Sequence, residues 1–311
     1  ESLEIVHINE IAGDCATAAH LLKFDSIHGT WQHDIQSNGH TLSIDSKTIS
    51  YSSNKHIDET PWSELGVNLV IDCTGKFKSK QLLQTYLDHG VKKVIVSAPV
   101  KDGTLNIVMG VNQHKYDSDI HHIVTAASCT TNCIAPVVDV IQKKFGIKHG
   151  CFTTIHNLTN TQSILDEYHK DLRRSRACGQ SLIPTSTGSA TAITEIFPEL
   201  KGRIDGISIR VPLANASLTD CVFELETETS KEHVNETLEA ASRGYLKGIL
   251  GYEVQALVSV DYTNDKRSAI IDALSTNVIN KTQLKLLVWY DNEIGYVNRM
   301  MELTVLIGKT I

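Results

Sequence analysis

Apolar and polar residues follow two rhythms along this chain, and the rhythm changes near residue 150. In the first half, short continuous apolar runs alternate with stretches whose apolar residues recur three or four apart. Residues 3–8 (Leu-Glu-Ile-Val-His-Ile), 67–72 (Val-Asn-Leu-Val-Ile-Asp), 92–96 (Lys-Lys-Val-Ile-Val) and 123–127 (Ile-Val-Thr-Ala-Ala) read as strands, the last three as buried ones. Residues 16–24 read as a helix, as does the stretch through Leu82, Leu83, Tyr86 and Leu87 that ends at Gly90. Residues 41–44 and 48–51, joined through Asp45-Ser46-Lys47, predict a hairpin. A further helix opens at Cys129, because Ile134, Val137, Val138, Ile141 and Phe145 recur at helical spacing and Gly146 closes the run. Strand, helix and strand joined by short turns predict a Rossmann-type, doubly wound parallel sheet.

Past residue 150 the period becomes two. Residues 151–156, 206–212, 218–227, 256–260 and 284–290 read as strands, interrupted by one helix over 232–242 and followed by a final helix over 292–309. This pattern predicts an α+β domain with a mainly antiparallel sheet backed by helices. Residues 157–183 are polar and basic, with Arg173, Arg174 and Arg176. So long a loop in a folded domain points to function. At 311 residues the chain exceeds one ordinary core, so two domains are expected.

Composition narrows the class. A hydrophobic fraction of 41% beside 21% charged residues fits a soluble globular chain. The net charge of −7 argues against a general nucleic-acid binder. No apolar run reaches membrane length, and no basic, apolar leader is expected at the start. Seven irregularly spaced cysteines make neither a disulfide framework nor paired zinc ligands, which suits a reducing, cytoplasmic setting. No metal site is expected, since the histidines, His121-His122 among them, lack ligand spacing.

Candidate chemistry centres on Ser128-Cys129-Thr130-Thr131-Asn132-Cys133. Cys129 falls where a strand becomes the first turn of a helix. Free backbone N–H groups and the positive dipole end there favour a thiolate, the nucleophilic form. A small buried hydrophobe is the alternative reading, and it suits Cys133 better. His156, after a strand, is either structural or the base opposite Cys129. Glu10 closes a strand, where an acid accepts ribose hydroxyls or is simply solvated. Its companion strand, glycine-rich turn and helix would lie about 20 residues upstream, and no G-x-G-x-x-G occurs near the start. Thr74, Gly75, Ser97 and Ala98 stand at carboxyl ends of predicted strands, as cofactor contacts or as turn residues.

Six separated motifs then coincide: Ala-Ser-Cys-Thr-Thr-Asn-Cys (127–133), Thr-Thr-Ile-His (153–156), Pro-Thr-Ser-Thr-Gly (184–188), Ile-Arg-Val-Pro (209–212), Leu-Lys-Gly-Ile-Leu-Gly-Tyr (246–252) and Trp-Tyr-Asp-Asn-Glu (289–293). In order and spacing the chain resembles the phosphorylating glyceraldehyde-3-phosphate dehydrogenase family from about Glu4 onward. The resemblance implies an NAD-binding domain over 1–127 and 294–311 and a catalytic domain over 128–293. It implies Cys129 as nucleophile and His156 as base. Glu10, Thr74, Gly75, Ser97 and Asn292 would contact the dinucleotide. Thr159 and Arg210 would hold the phosphate of a sugar-phosphate substrate. Ser128, Thr130, Thr187, Gly188 and Arg174 would hold inorganic phosphate. The basic loop would lie along a neighbouring subunit's cofactor in a homotetramer. The missing amino-terminal unit would be central to the sheet, so an upstream segment is expected.

Four positions depart from the family pattern: Glu10 where Asp is usual, Thr161 in place of Asp, and Glu167-Tyr168 in place of Leu-Pro. They leave NADP open beside NAD. The Val-His-Ile-Asn-Glu opening (6–10) and Asn-Ala-Ser-Leu-Thr-Asp-Cys-Val-Phe-Glu (215–224) are similar to the subgroup found beside arsenical efflux genes, in which arsenate is thought to replace phosphate. Erythrose-4-phosphate dehydrogenase is the nearest alternative activity. A cysteine hydrolase and a non-enzymatic binding or regulatory homologue are the alternatives from other classes.

Overall fold

Valine and isoleucine on both faces of a strand demand cover on both sides. Lys93–Val96 is buried at all four positions. In the computed structural model, which describes residues 3–100 and 102–311, this strand lies between Leu69–Asp72 and Ile123–Thr125, parallel to both. The chain divides into two units. One gathers the described residues up to Leu105 with Tyr116–Thr125 and Leu303–Ile311; the other holds Asn106–Lys115 and Ala126–Glu302.

In the first unit, α1 (Cys15–Lys23) starts at Asp14, whose side chain accepts from Thr17 N. It sets Cys15 and Ala19 against Leu42, Ile49 and Tyr51 of a second sheet. That sheet runs His7–Asn9, Lys47–Ser52, Thr41–Ile44 and Ile35–Asn38, with the first pair parallel and the rest antiparallel. The expected hairpin is present, and Ile35–Asn38 extends it. The expected strand over 3–8 shrinks to His7–Asn9. Leu3 and Ile5 are exposed, so their apolar pattern meets no core. Next, α2 (Lys80–Asp88) is capped by Ser79 and buries Leu83 and Tyr86. Tyr86 Oη donates to Asp72 Oδ2 across 3.1 Å, and Asp72 Oδ1 gathers the Thr74 N–H and hydroxyl. One buried carboxylate thereby ties helix, strand and the following turn together.

In the second unit, a large sheet runs Ile183–Ser186, Ile204–Arg210, Ile147–His156, Ser217–Leu225, Gln283–Tyr290, Ala269–Asp272 and Leu250–Glu253. The sheet is mixed: Ile147–His156 runs parallel to Ile204–Arg210, and Leu250–Glu253 parallel to Ala269–Asp272. Ser217–Leu225 and Gln283–Tyr290 show the expected alternation of buried and half-buried positions. Their inward residues pack under α3 (Cys129–Phe145), α4 (Ser189–Ile196) and α5 (Lys231–Arg243). The last helix, α6 (Ile294–Gly308), follows Asp291, which accepts from Glu293 N and Ile294 N.

One predicted strand is absent. Residues 256–260 run into a short 3-10 turn, Ser259–Tyr262, with Val258 and Val260 largely exposed. The Asp261 carboxylate accepts from Val258 N and pins that turn, so the alternation there meets no sheet. Among the described residues no helix is long and apolar enough to cross a membrane.

Candidate active site

Ser128 decides where α3 begins. Its backbone is extended, and its hydroxyl accepts from Thr131 N at 3.2 Å. Asn132 Nδ2 reaches back to the carbonyls of Ala126 and Ser128, both at 2.9 Å. Ala127, fully buried, takes φ 54° to make the corner. Cys129 is thus fixed as the first helical residue, half-buried at the sheet.

His156 ends the strand Ile147–His156 and is 3% exposed. Its Nε2 lies 3.5 Å from Cys129 Sγ. The parallel register pairs His156 with Arg210, the last residue of the neighbouring strand. Arg210 Nη1 lies 2.9 Å from His156 Nδ1 and 3.1 Å from the Asn157 carbonyl. Tyr290 closes the far side. Its hydroxyl meets Thr130 Oγ1 at 3.0 Å and Thr154 Oγ1 at 2.7 Å, and its ring stands edge-on to His156. Neither Tyr290 nor Thr154 was singled out from sequence. The visible signal was the alternation that turns Tyr290 inward with Val288 and Leu286.

Burial sets the protonation states. It pushes the Cys129 thiol up, against the Thr130 hydroxyl and the Arg210 charge that pull it down. Burial, and then the Arg210 charge, bring His156 down to about 4. The backbone N–H groups at the helix start favour the thiolate, as the local sequence suggests, and burial works against them.

A second network adjoins the first. Arg174 Nε donates to Thr185 Oγ1 at 2.9 Å, and its Nη1 donates to Thr161 Oγ1 at 3.0 Å. Thr161 Oγ1 lies 2.9 Å from Thr159 Oγ1, which lies 3.4 Å from Arg210 Nη1. Two arginines thus face a ring of hydroxyls, and burial and mutual repulsion press on the Arg210 charge. Arg210 Nε is buried with no hydrogen-bond partner among the described residues. Ser128 Oγ approaches Ser189 Oγ at 3.2 Å, at the start of α4, where Gly188 is the cap and Thr187 Oγ1 accepts from Ser189 N. Thr130 is buried with its hydroxyl engaged by Tyr290.

Glu10 is exposed, follows His7–Asn9, and accepts from Ala12 N. Thr74 and Gly75 form the turn after Leu69–Asp72, and Ser97 N donates to the Asp72 carbonyl. At Gly75 φ is +63°, and a Cβ there would meet nothing within 4 Å. Asn292 is 7% exposed, and its Oδ1 has no hydrogen-bond partner among the described residues. Each of these residues, taken singly, has chemistry suited to one part of a nicotinamide dinucleotide. An acid after a strand suits ribose hydroxyls, an open glycine turn suits close approach, and an orphaned acceptor suits a carboxamide N–H.

Comparison with known proteins agrees with this chemistry. The profile described as "Glyceraldehyde 3-phosphate dehydrogenase, NAD binding domain" matches residues 1–80, and that described as the C-terminal domain matches residues 128–292. The chain is 59% identical to glyceraldehyde-3-phosphate dehydrogenase 3 of Nostoc sp., over 97% of this chain and 90% of that one. It is 48% identical to glyceraldehyde-3-phosphate dehydrogenase 1 of Bacillus cereus, over 97% and 90%. It is 47% identical to the enzyme of that name from Geobacillus stearothermophilus, over 99% and 91%. With both profiles matched and relatives so similar over nearly its whole length, the chain belongs to the glyceraldehyde-3-phosphate dehydrogenase family.

Proposed function

We propose that this protein oxidises D-glyceraldehyde 3-phosphate with NAD and inorganic phosphate, giving 1,3-bisphosphoglycerate and NADH through a thioester on Cys129. The observation that carries this reading is the 3.5 Å approach of Cys129 Sγ to His156 Nε2, with Arg210 against the other nitrogen of the same ring. His156 takes the thiol proton as sulfur adds to the aldehyde carbon, and returns it to the new hydroxyl. The Cys129 backbone N–H, at the helix start, steadies the transient oxyanion. His156 then takes the hydroxyl proton as the aldehyde hydrogen departs as hydride. When bound, the nicotinamide supplies the hydride acceptor. Phosphate attacks the thioester, and Cys129 leaves as thiolate.

Thr159 and Arg210 hold the substrate phosphate in this reading. Ser128, Thr130, Thr187, Gly188 and Arg174 hold the incoming anion, which is phosphate or the isosteric arsenate. Residues 1–127 and 294–311 serve the dinucleotide, through Glu10, Thr74, Gly75, Ser97 and Asn292, and residues 128–293 the chemistry. The exposed Ile164, Leu165, Tyr168 and Leu172 of the long loop support a homotetramer in which copies cover one another. Seven free cysteines and a net charge of −7 support a cytoplasmic enzyme that engages neither membrane nor nucleic acid.

The test is production of reduced nicotinamide from the aldehyde, NAD and phosphate. Cys129→Ser should lower it by roughly 10³-fold or more, and His156→Asn should lower kcat by about 10²–10⁴-fold. Undiminished turnover in Cys129→Ser would refute the reading. Running erythrose 4-phosphate, NADP and arsenate in parallel ranks the alternative aldehyde, cofactor and anion.

A further inference from the structure

Alternate residues of a strand share a face. In the parallel pair His7–Asn9 and Lys47–Ser52, His7 and Asn9 therefore lie beside Ser50 and Ser52, while Ile8 and Tyr51 turn to the core. The His7 ring bridges the two serines. Its Nδ1 lies 2.8 Å from Ser50 Oγ and its Nε2 lies 2.9 Å from Ser52 Oγ. Each serine has one hydrogen to give, and each gives it to a group that can only accept. Ser50 Oγ donates to the Val6 carbonyl at 2.9 Å, and Ser52 Oγ donates to Asn9 Oδ1 at 2.7 Å. The Asn9 amide cannot be turned round, because its Oδ1 accepts from Asn54 N at 2.8 Å and its Nδ2 donates to the Asn54 carbonyl at 2.9 Å. Both ring nitrogens must then donate, and only an imidazolium does that.

A neutral ring forces a change. The serine facing the bare nitrogen has to swing its hydrogen to the ring and release its acceptor. Asn9 Oδ1 would keep the 2.8 Å bond from Asn54 N, whereas the Val6 carbonyl would keep only a 3.2 Å bond from Ser50 N, so Ser52 is the one that yields. Ser52 is also the joint beside Glu10, whose N–H donates to the Ser52 carbonyl at 3.0 Å. The ionisable groups of the neighbouring elements are engaged elsewhere or exposed. Glu10 accepts from Ala12 N and Glu59 from His56 N, Tyr51 donates to the Gly13 carbonyl and Tyr86 to Asp72, and Lys47, Lys55 and Asp58 are exposed. Trp62 stands edge-on to the ring, with centroids 5.8 Å apart. Burial resists the charge, and the two accepted protons favour it.

We propose that His7 is a positioning residue for the dinucleotide: as an imidazolium it locks Ser52 onto Asn9 and so fixes the strand end that presents Glu10, and as a neutral ring it releases that end. The ring proton goes to water, and the Ser52 hydrogen bond moves from Asn9 Oδ1 to Nε2. NAD binds the locked form better, so its affinity falls as pH rises through the His7 titration. By linkage, bound NAD raises the pH at which His7 titrates. This inference rests on Glu10 contacting the dinucleotide in the proposed function.

Nitrogen-15 NMR of the full chain labelled at histidine follows the titration, with His7→Ala giving the assignment. At the acid end both His7 nitrogens should carry protons. Ser50→Ala and Ser52→Ala each remove an acceptor from the charged ring, and each should lower the midpoint by about one pH unit. A ring that is only buried would do the opposite, since each truncation opens it to water. Saturating NAD should raise the wild-type midpoint, and calorimetry should show NAD binding weakening about fivefold or more across it. The negative charge of NAD acting through space would raise the midpoint equally in Ser52→Ala, whereas the lock predicts a smaller shift there. A midpoint unmoved or raised in either serine variant overturns the proposal, as does an NAD shift of the same size in Ser52→Ala. Should a serine variant fail to fold, the pH dependence of wild-type NAD affinity decides alone. NAD bound equally at every pH defeats this inference only, whereas NAD bound at none defeats the proposed function and this inference with it.

Discussion

A buried histidine makes stability depend on pH. His156 is held to about 4 by burial and by Arg210, while its ordinary value is 6.5. Between these values the unfolded chain binds a proton that the folded chain refuses, so stability present above pH 6.5 is lost as pH falls toward 4. The loss amounts to about 3 kcal/mol. The urea midpoint of the wild type should therefore drop more between pH 7 and 4 than that of His156→Asn; equal drops would contradict the assignment. Tyr290 offers a second check. Its hydroxyl serves two buried threonines, so Tyr290→Phe should cost about 1–3 kcal/mol in denaturant titration. Of the site, Cys129 was legible from its own surroundings, because a strand running into a helix is a local pattern. The nearness of His156 and Arg210 was not. It depends on the register of two parallel strands with the long loop between them, and only the family resemblance pointed to it.

At the scale of elements, the sequence spoke clearly wherever burial followed one period. The continuous run Lys93–Val96 and the alternation in Ser217–Leu225 became strands within a residue or two of expectation. Two short elements were missed. Ala269–Asp272 is four residues with no alternation, just after the charged Asp265-Lys266-Arg267, and Ser189–Ile196 barely completes two turns. Residues 256–260 alternate with nothing to pack against, so period alone misled. Two substitutions test the elements around the site. Ser128→Ala removes the α3 cap and should cost about 1 kcal/mol. Gly206→Ala puts a Cβ 2.5 Å from the Phe152 ring and should cost about 1–3 kcal/mol. A thermal melt of each reads the result, and an unchanged Gly206→Ala midpoint would mean the ring yields freely.

For the whole molecule, length pointed to two domains, and the chain divides into two units. The change of period near residue 150 does not mark their boundary. The second unit already takes in Asn106–Lys115 and all of α3, and α6 passes from one unit to the other. Periodicity reports local burial, whereas a unit is defined by contacts distant in sequence. Assembly belongs to this scale as well. If the proposed tetramer forms through the long loop, Ile164→Glu with Leu172→Glu should shift sedimentation to smaller species, and an unchanged profile would refute that interface.

Ala127 adds one more consequence. An alanine held at φ 54° carries about 1–2 kcal/mol that a glycine would not. The corner it makes also aims the reactive sulfur. Ala127→Gly would relieve that strain while keeping the corner, but it takes a methyl from a fully buried position and frees the unfolded chain. The two effects nearly offset, so heat tolerance should move by no more than about 1 kcal/mol and turnover should survive, which leaves a strained alanine at this corner at no net cost.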